Sequence, residues 1–89
     1  MNEGENYNLL KQIINEVDPI GLIDHETPES FSEYNAELNE ILKEDISHLN
    51  DRQLGQLIYE VFVRFFNEDL VGSKDKYNLI ASKFLADKK

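Results

Sequence analysis

The chain has 89 residues, room for one domain and no second. Its apolar fraction of 40% is enough for one core, and the absence of cysteine removes disulfide frameworks and thiolate metal sites. The formal net charge of −9 repels phosphate backbones and anionic lipid, which argues against direct nucleic-acid or membrane binding.

That charge is uneven. Residues 1–50 carry twelve Asp/Glu against Lys11 and Lys43, whereas residues 51–89 carry six against seven Lys/Arg. A basic protein is therefore drawn to the first half. The opening Met1-Asn2-Glu3-Gly4-Glu5-Asn6 is acidic and polar, unlike a secretory n-region. No apolar run approaches the roughly 20 residues of a bilayer span. A cytoplasmic location is expected.

Four segments have helical periodicity and none alternates like a half-buried strand. In the first, Leu9, Leu10, Ile13, Ile14 and Val17 form one apolar stripe behind Asn6, a candidate N-cap. Pro19 disfavours the α conformation in the residue before it, so this helix ends near Val17. The loop from Asp18 to Thr27 holds Ile20, Leu22 and Ile23, too apolar for a solvated connector and expected to tuck against the bundle. Gly21 permits a backbone conformation other residues resist. Asp18 sits badly for the helix dipole, and an Asx-type turn accepting a backbone N–H beyond Pro19 explains it.

The second helix has two candidate starts, Thr27-Pro28-Glu29 with proline at the first helical position and Ser30-Phe31-Ser32-Glu33 as a capping box. Phe31, Tyr34, Leu38, Ile41 and Leu42 make its buried stripe. Glu29, Glu33, Glu37, Glu40 and Glu44 fall together on the other side, with Lys43 the helix's single base. The connector Ile46 to Leu49 leads to Asn50-Asp51-Arg52-Gln53, an N-cap sequence with an acid in the first turn. Leu54, Leu57, Ile58, Tyr59, Val61, Phe62, Val63, Phe65 and Phe66 follow and cover well over half the third helix, leaving Gln53, Gln56, Glu60 and Arg64 wet. An arc that wide marks the central helix of a bundle or an oligomer contact. Gly72-Ser73 closes this region, and Ser73 caps a fourth helix with Tyr77, Ile80, Ala81, Phe84 and Leu85 inside. Lys74, Lys76, Lys83, Lys88 and Lys89 make that helix basic. The expected architecture is all-α: residues 1–89 as one compact bundle of about four helices.

The chain shows no Gly-x-Ser-x-Gly and no glycine-rich phosphate loop. Asp18 to Glu29 has the length of an EF-hand loop, but Ile20 and Leu22 stand where oxygen ligands are needed. Asp24-His25-Glu26 lacks the three or four spaced ligands zinc requires. His48, near the end of the second helix, suits a helix terminus. No cofactor is expected. Two like-charge pairs at i, i+4, Glu33/Glu37 and Glu40/Glu44, each cost roughly 0.2–0.5 kcal/mol in an isolated helix. A face that is unfavourable alone suits a basic partner, and an ordinary solvated face is the plainer account.

Asp18-Pro19-Ile20-Gly21-Leu22, followed by Glu33-Tyr34 and Glu37-Leu38, resembles a family of small uncharacterised bacterial helical proteins, a domain of unknown function. That family pairs an Asp-Pro-Ile-Gly segment after the first helix with a Glu-Tyr segment opening the second. Asn35 stands where the family often has Asp, and Val17 where it often has an aromatic. The resemblance implies an all-α fold and a bacterial origin, and nominates Asp18, Pro19, Gly21, Glu33 and Tyr34. It implies no activity.

The expected function is a non-catalytic interaction module, a monomer or homodimer, that meets a basic protein through Asp18, Glu29, Glu33, Tyr34, Glu37, Glu40 and Glu44. An immunity or antitoxin-like protein against a cationic nuclease is one concrete version. Two alternatives are a small metal-dependent or catalytic site around Asp18, Asp24, His25 and Glu26, and a nucleic-acid mimic whose carboxylates imitate phosphates for a DNA-binding protein.

Overall fold

A computed structural model describes residues 3–22, 26, 32–44, 46 and 48–88. They form five α-helices and, among the described residues, no strand: α1 (Glu3–Val17), α2 (Asn35–Leu42), α3 (Asp51–Phe66), α4 (Glu68–Val71) and α5 (Asp75–Lys88). The all-α expectation holds, with one short helix more than the periodicity gave. None of the described helices is long and apolar enough to cross a membrane.

Helix α1 stops at Val17 as Pro19 requires, but it begins at Glu3. Asn6 is therefore inside the helix and is not its cap, and its Oδ1 is buried with no hydrogen-bond partner. The second helix is much shorter than expected. Thr27 to Phe31, with both candidate caps, lie outside the described residues, Glu33 and Tyr34 form a turn, and the helix begins at Asn35. No side chain caps it.

Helix α3 starts as its sequence dictates. Asn50 Oδ1 accepts from Gln53 N–H at 2.8 Å and Gln53 Oε1 accepts from Asn50 N–H at 3.0 Å, so two orphan donors are satisfied reciprocally. The helix ends at Asn67, whose φ of +81° breaks it. Asparagine tolerates that region better than most residues. Its Oδ1 then accepts from Leu70 N–H at 3.1 Å and caps the single turn of α4. This asparagine makes two helices of what the periodicity joined to one loop.

The wide apolar arc of α3 is used centrally, since α3 packs against α2, α4 and α5 while α1 packs against α2 and α5. Phe62 lies fully buried at the middle of an aromatic cluster, 5.2 Å from the Tyr77 ring, 5.7 Å from Tyr34 and 5.8 Å from Phe66. Gly55 lets α3 and α5 approach closely, because a Cβ there would lie 3.1 Å from Asn78 Cα and nearer still to its Oδ1. Phe65 departs from the expectation: at 45% exposure it lies outside the core, although its neighbour Phe66 packs against it.

Candidate functional site

The two halves of the Asp-Pro-Ile-Gly and Glu-Tyr pattern meet in space. Asp18 follows α1 with φ +49°, its N–H donating to Ile14 O at 2.7 Å, so the chain leaves the helix through a left-handed residue. Its Oδ1 accepts from Leu22 N–H at 2.8 Å, a backbone N–H beyond Pro19 as expected, but four residues on and not the two of an Asx turn. The same oxygen accepts from the Tyr34 hydroxyl at 2.6 Å, a length typical of a hydroxyl on a carboxylate. Tyr34 Oη in turn accepts from Ile20 N–H at 3.2 Å. Burial, and then the Asp18 carboxylate it serves, push the Tyr34 hydroxyl pKa well above 10. It is held as a donor.

A second strap comes from α5. Lys76 Nζ donates to the carbonyl of the buried Pro19 at 2.7 Å. Gly21 closes the turn with φ +83°, its N–H donating to Asp18 O at 3.1 Å. Ile20 and Leu22 pack against the core as their composition required, and Ile23 lies outside the described residues. Asp18, Pro19, Gly21 and Tyr34 thus form a latch that fixes the loop to α2. No feature of the sequence pointed to Lys76, 57 positions from Pro19.

The glutamate stripe is changed by the structure. Glu29 lies outside the described residues. Glu33, in the turn before α2, and Glu44, in the bend after it, are exposed. Glu40 is compensated, by Lys43 at 3.0 Å and by Arg64 of α3 at 3.6 Å. Arg64 is exposed on the wet side of α3, and its reach to α2 depends on tertiary packing.

Glu37 is the main correction. It was expected on the solvated face, and it is buried, 4% exposed, with Oε2 lacking any hydrogen-bond partner. The helical wheel explains the burial. Ile41 at i+4 and Tyr34 at i−3 both belong to the core and are about 40° and 60° away around the helix, so Glu37 shares their flank. Burial raises its pKa above the ordinary 4.5. Its own backbone N–H opposes that rise, and the charge of Glu33 adds to it.

The residues of the metal or catalytic alternative are not assembled by the described part of the chain. Asp24 and His25 lie outside it, Glu26 is exposed in a turn, and Asp18 is engaged by Tyr34 and Leu22. His48 is exposed in the connector before α3. Comparison with protein-family models, with curated proteins and with solved structures finds no match to this chain.

Proposed function

We propose that this protein is a non-catalytic interaction module that binds a basic protein through the acidic flank of α2. The observation that carries this reading is the exposure of Glu33 and Glu44 at the two ends of α2, while Lys43 and Arg64 of α3 both pair with Glu40. Twelve acids against two bases in residues 1–50 extend the negative field beyond that helix. An antitoxin or immunity protein facing a cationic toxin is one role such a field suits. The latch gives Asp18 and Tyr34 a physical reason to occur together.

Charges of this kind act on the association rate through long-range steering. With the basic partner captured from cell extract, Glu33→Gln with Glu44→Gln slows association at low salt. The difference shrinks as the Debye length falls from about 10 Å at 0.1 M to about 3 Å at 1 M. Association at the wild-type rate in low salt would make the flank an ordinary solvated surface.

A further inference from the structure

Glu37 is an anomaly that the acidic flank alone does not require. Buried carboxylates are normally paired, and one without a partner is destabilising. Lys43 and Arg64 both pair with Glu40, one turn further along α2, and not with Glu37. Replacing Glu37 by an apolar residue would complete the stripe of Tyr34, Leu38 and Ile41 with no loss visible inside the fold. A carboxyl placed in that stripe, one turn from the exposed Glu33, has an oxygen for which the described residues supply no donor. Perturbed carboxyls of this kind concentrate at functional sites.

We infer that Glu37 is the anchor for one arginine or lysine side chain of the basic partner, which displaces the side chains covering Oε2 and donates to it. This rests on the proposed interaction module and sharpens it from a field to a residue. Glu33 and Glu44 guide the partner by charge, and Glu37 binds it by contact. Inserting a guanidinium or ammonium gives Oε2 the hydrogen bond it lacks. Because the anchor is desolvated, the bond is stronger than the same contact at a surface carboxylate. Removing it changes the dissociation rate, whereas removing Glu33 or Glu44 changes the association rate.

The test uses the full chain with a capped tri-arginine peptide as probe, followed by the side-chain carboxyl carbon resonances. The Glu37 carboxyl should move on titration. Glu37→Gln should weaken the peptide by about tenfold or more, the loss expected for one charge-assisted hydrogen bond. Glu37→Asp, which keeps the charge but withdraws it, should weaken it as well. Glu60→Gln, an exposed carboxylate change on α3, should leave the affinity unchanged. Equal affinity of Glu37→Gln and wild type, or shifts spread over surface carboxyls with Glu37 still, overturns the anchor. The two readings fail separately. A captured basic partner whose rates respond to Glu33 and Glu44 but not to Glu37 removes the anchor alone, and a peptide bound at Glu37 by a chain without a basic partner removes the module alone.

Discussion

The bond between Tyr34 and Asp18 can be measured by a double-mutant cycle. Tyr34→Phe removes only the hydroxyl and leaves the buried ring against Phe62. It deletes a 2.6 Å bond to a carboxylate, worth roughly 1.5–3 kcal/mol. Asp18 is half-buried and water can reach it, so the lower half of that range applies. Loss of the weaker 3.2 Å bond from Ile20 N–H adds about 0.5 kcal/mol. The expected total is about 2 kcal/mol. Asp18→Ala loses the same bond and the 2.8 Å bond from Leu22 N–H, about 1 kcal/mol more. It also places alanine at φ +49°, costing roughly 1–2 kcal/mol.

That backbone penalty is present in both Asp18→Ala and the double variant, so it cancels in the coupling energy. The cycle should return about 1.5–2 kcal/mol from urea melts at neutral pH, where each kcal/mol moves the midpoint by up to about 1 M for a chain of this size. High pH gives an independent check. The folded pKa of Tyr34 is raised, so its neutral form is favoured in the native state, and stability is fully present below the unfolded value of 10. Above that value wild type loses about 1.4 kcal/mol per pH unit relative to Tyr34→Phe. Coupling below about 0.5 kcal/mol, with no difference between the two proteins above pH 10, would refute the latch.

Phe62→Ala should lose about 3–5 kcal/mol, because it empties a fully buried site and unstacks three aromatic neighbours. A denaturant melt showing less than about 1 kcal/mol would place Phe62 outside the core. Gly55→Ala gains about 1 kcal/mol of helix propensity but drives a Cβ into Asn78, and overpacking of about 1–3 kcal/mol should make the net effect a loss. Thermal stability above wild type would show that α3 and α5 do not approach so closely. For Glu37→Gln the sign follows from the raised pKa: wild type is most stable with this carboxyl protonated, below about 4.5, and loses stability as pH rises through the folded value. The variant should therefore melt higher at pH 7, with the gap closing toward pH 4. A gap that widens on acidification would mean that Glu37 is paired and stabilising.

The parts of this structure legible in the sequence are those fixed by local chemistry. The end of α1 before Pro19, the Asp18 side chain accepting a backbone N–H beyond Pro19 and the N-terminus of α3 at Asn50 each rest on a few neighbouring residues. The apolar stripes of α1, α3 and α5 followed from period alone. Misjudged elements were those where tertiary contacts overrode a local rule. Glu33 and Tyr34 read as part of the second helix, yet they lie in a turn before it, where Tyr34 is tied to Asp18, sixteen positions away. Glu37 reads as a surface residue by type, and its burial follows from core residues at i−3 and i+4. The partners of Glu40 and Pro19, namely Arg64 and Lys76, come from other helices, and no spacing rule connects them.

These features bear on one another through the length of α2. Eight residues make two turns, well short of the roughly 12–15 at which an isolated helix becomes even marginal in water. Its N-terminus has no side-chain cap, so helix propensity and capping do little to hold it. What holds it is burial of Tyr34, Leu38 and Ile41, together with the hydroxyl of Tyr34 bound to the loop and the loop bound to α5 by Lys76. The acidic flank proposed to meet a partner is carried by this same helix and the turn before it. The latch therefore sets where Glu33 and Glu37 stand, although neither touches it directly. Loosening it by Tyr34→Phe should weaken the tri-arginine peptide even though the hydroxyl is far too committed to bind it, and restoring the Asp18 bond should restore both stability and affinity together.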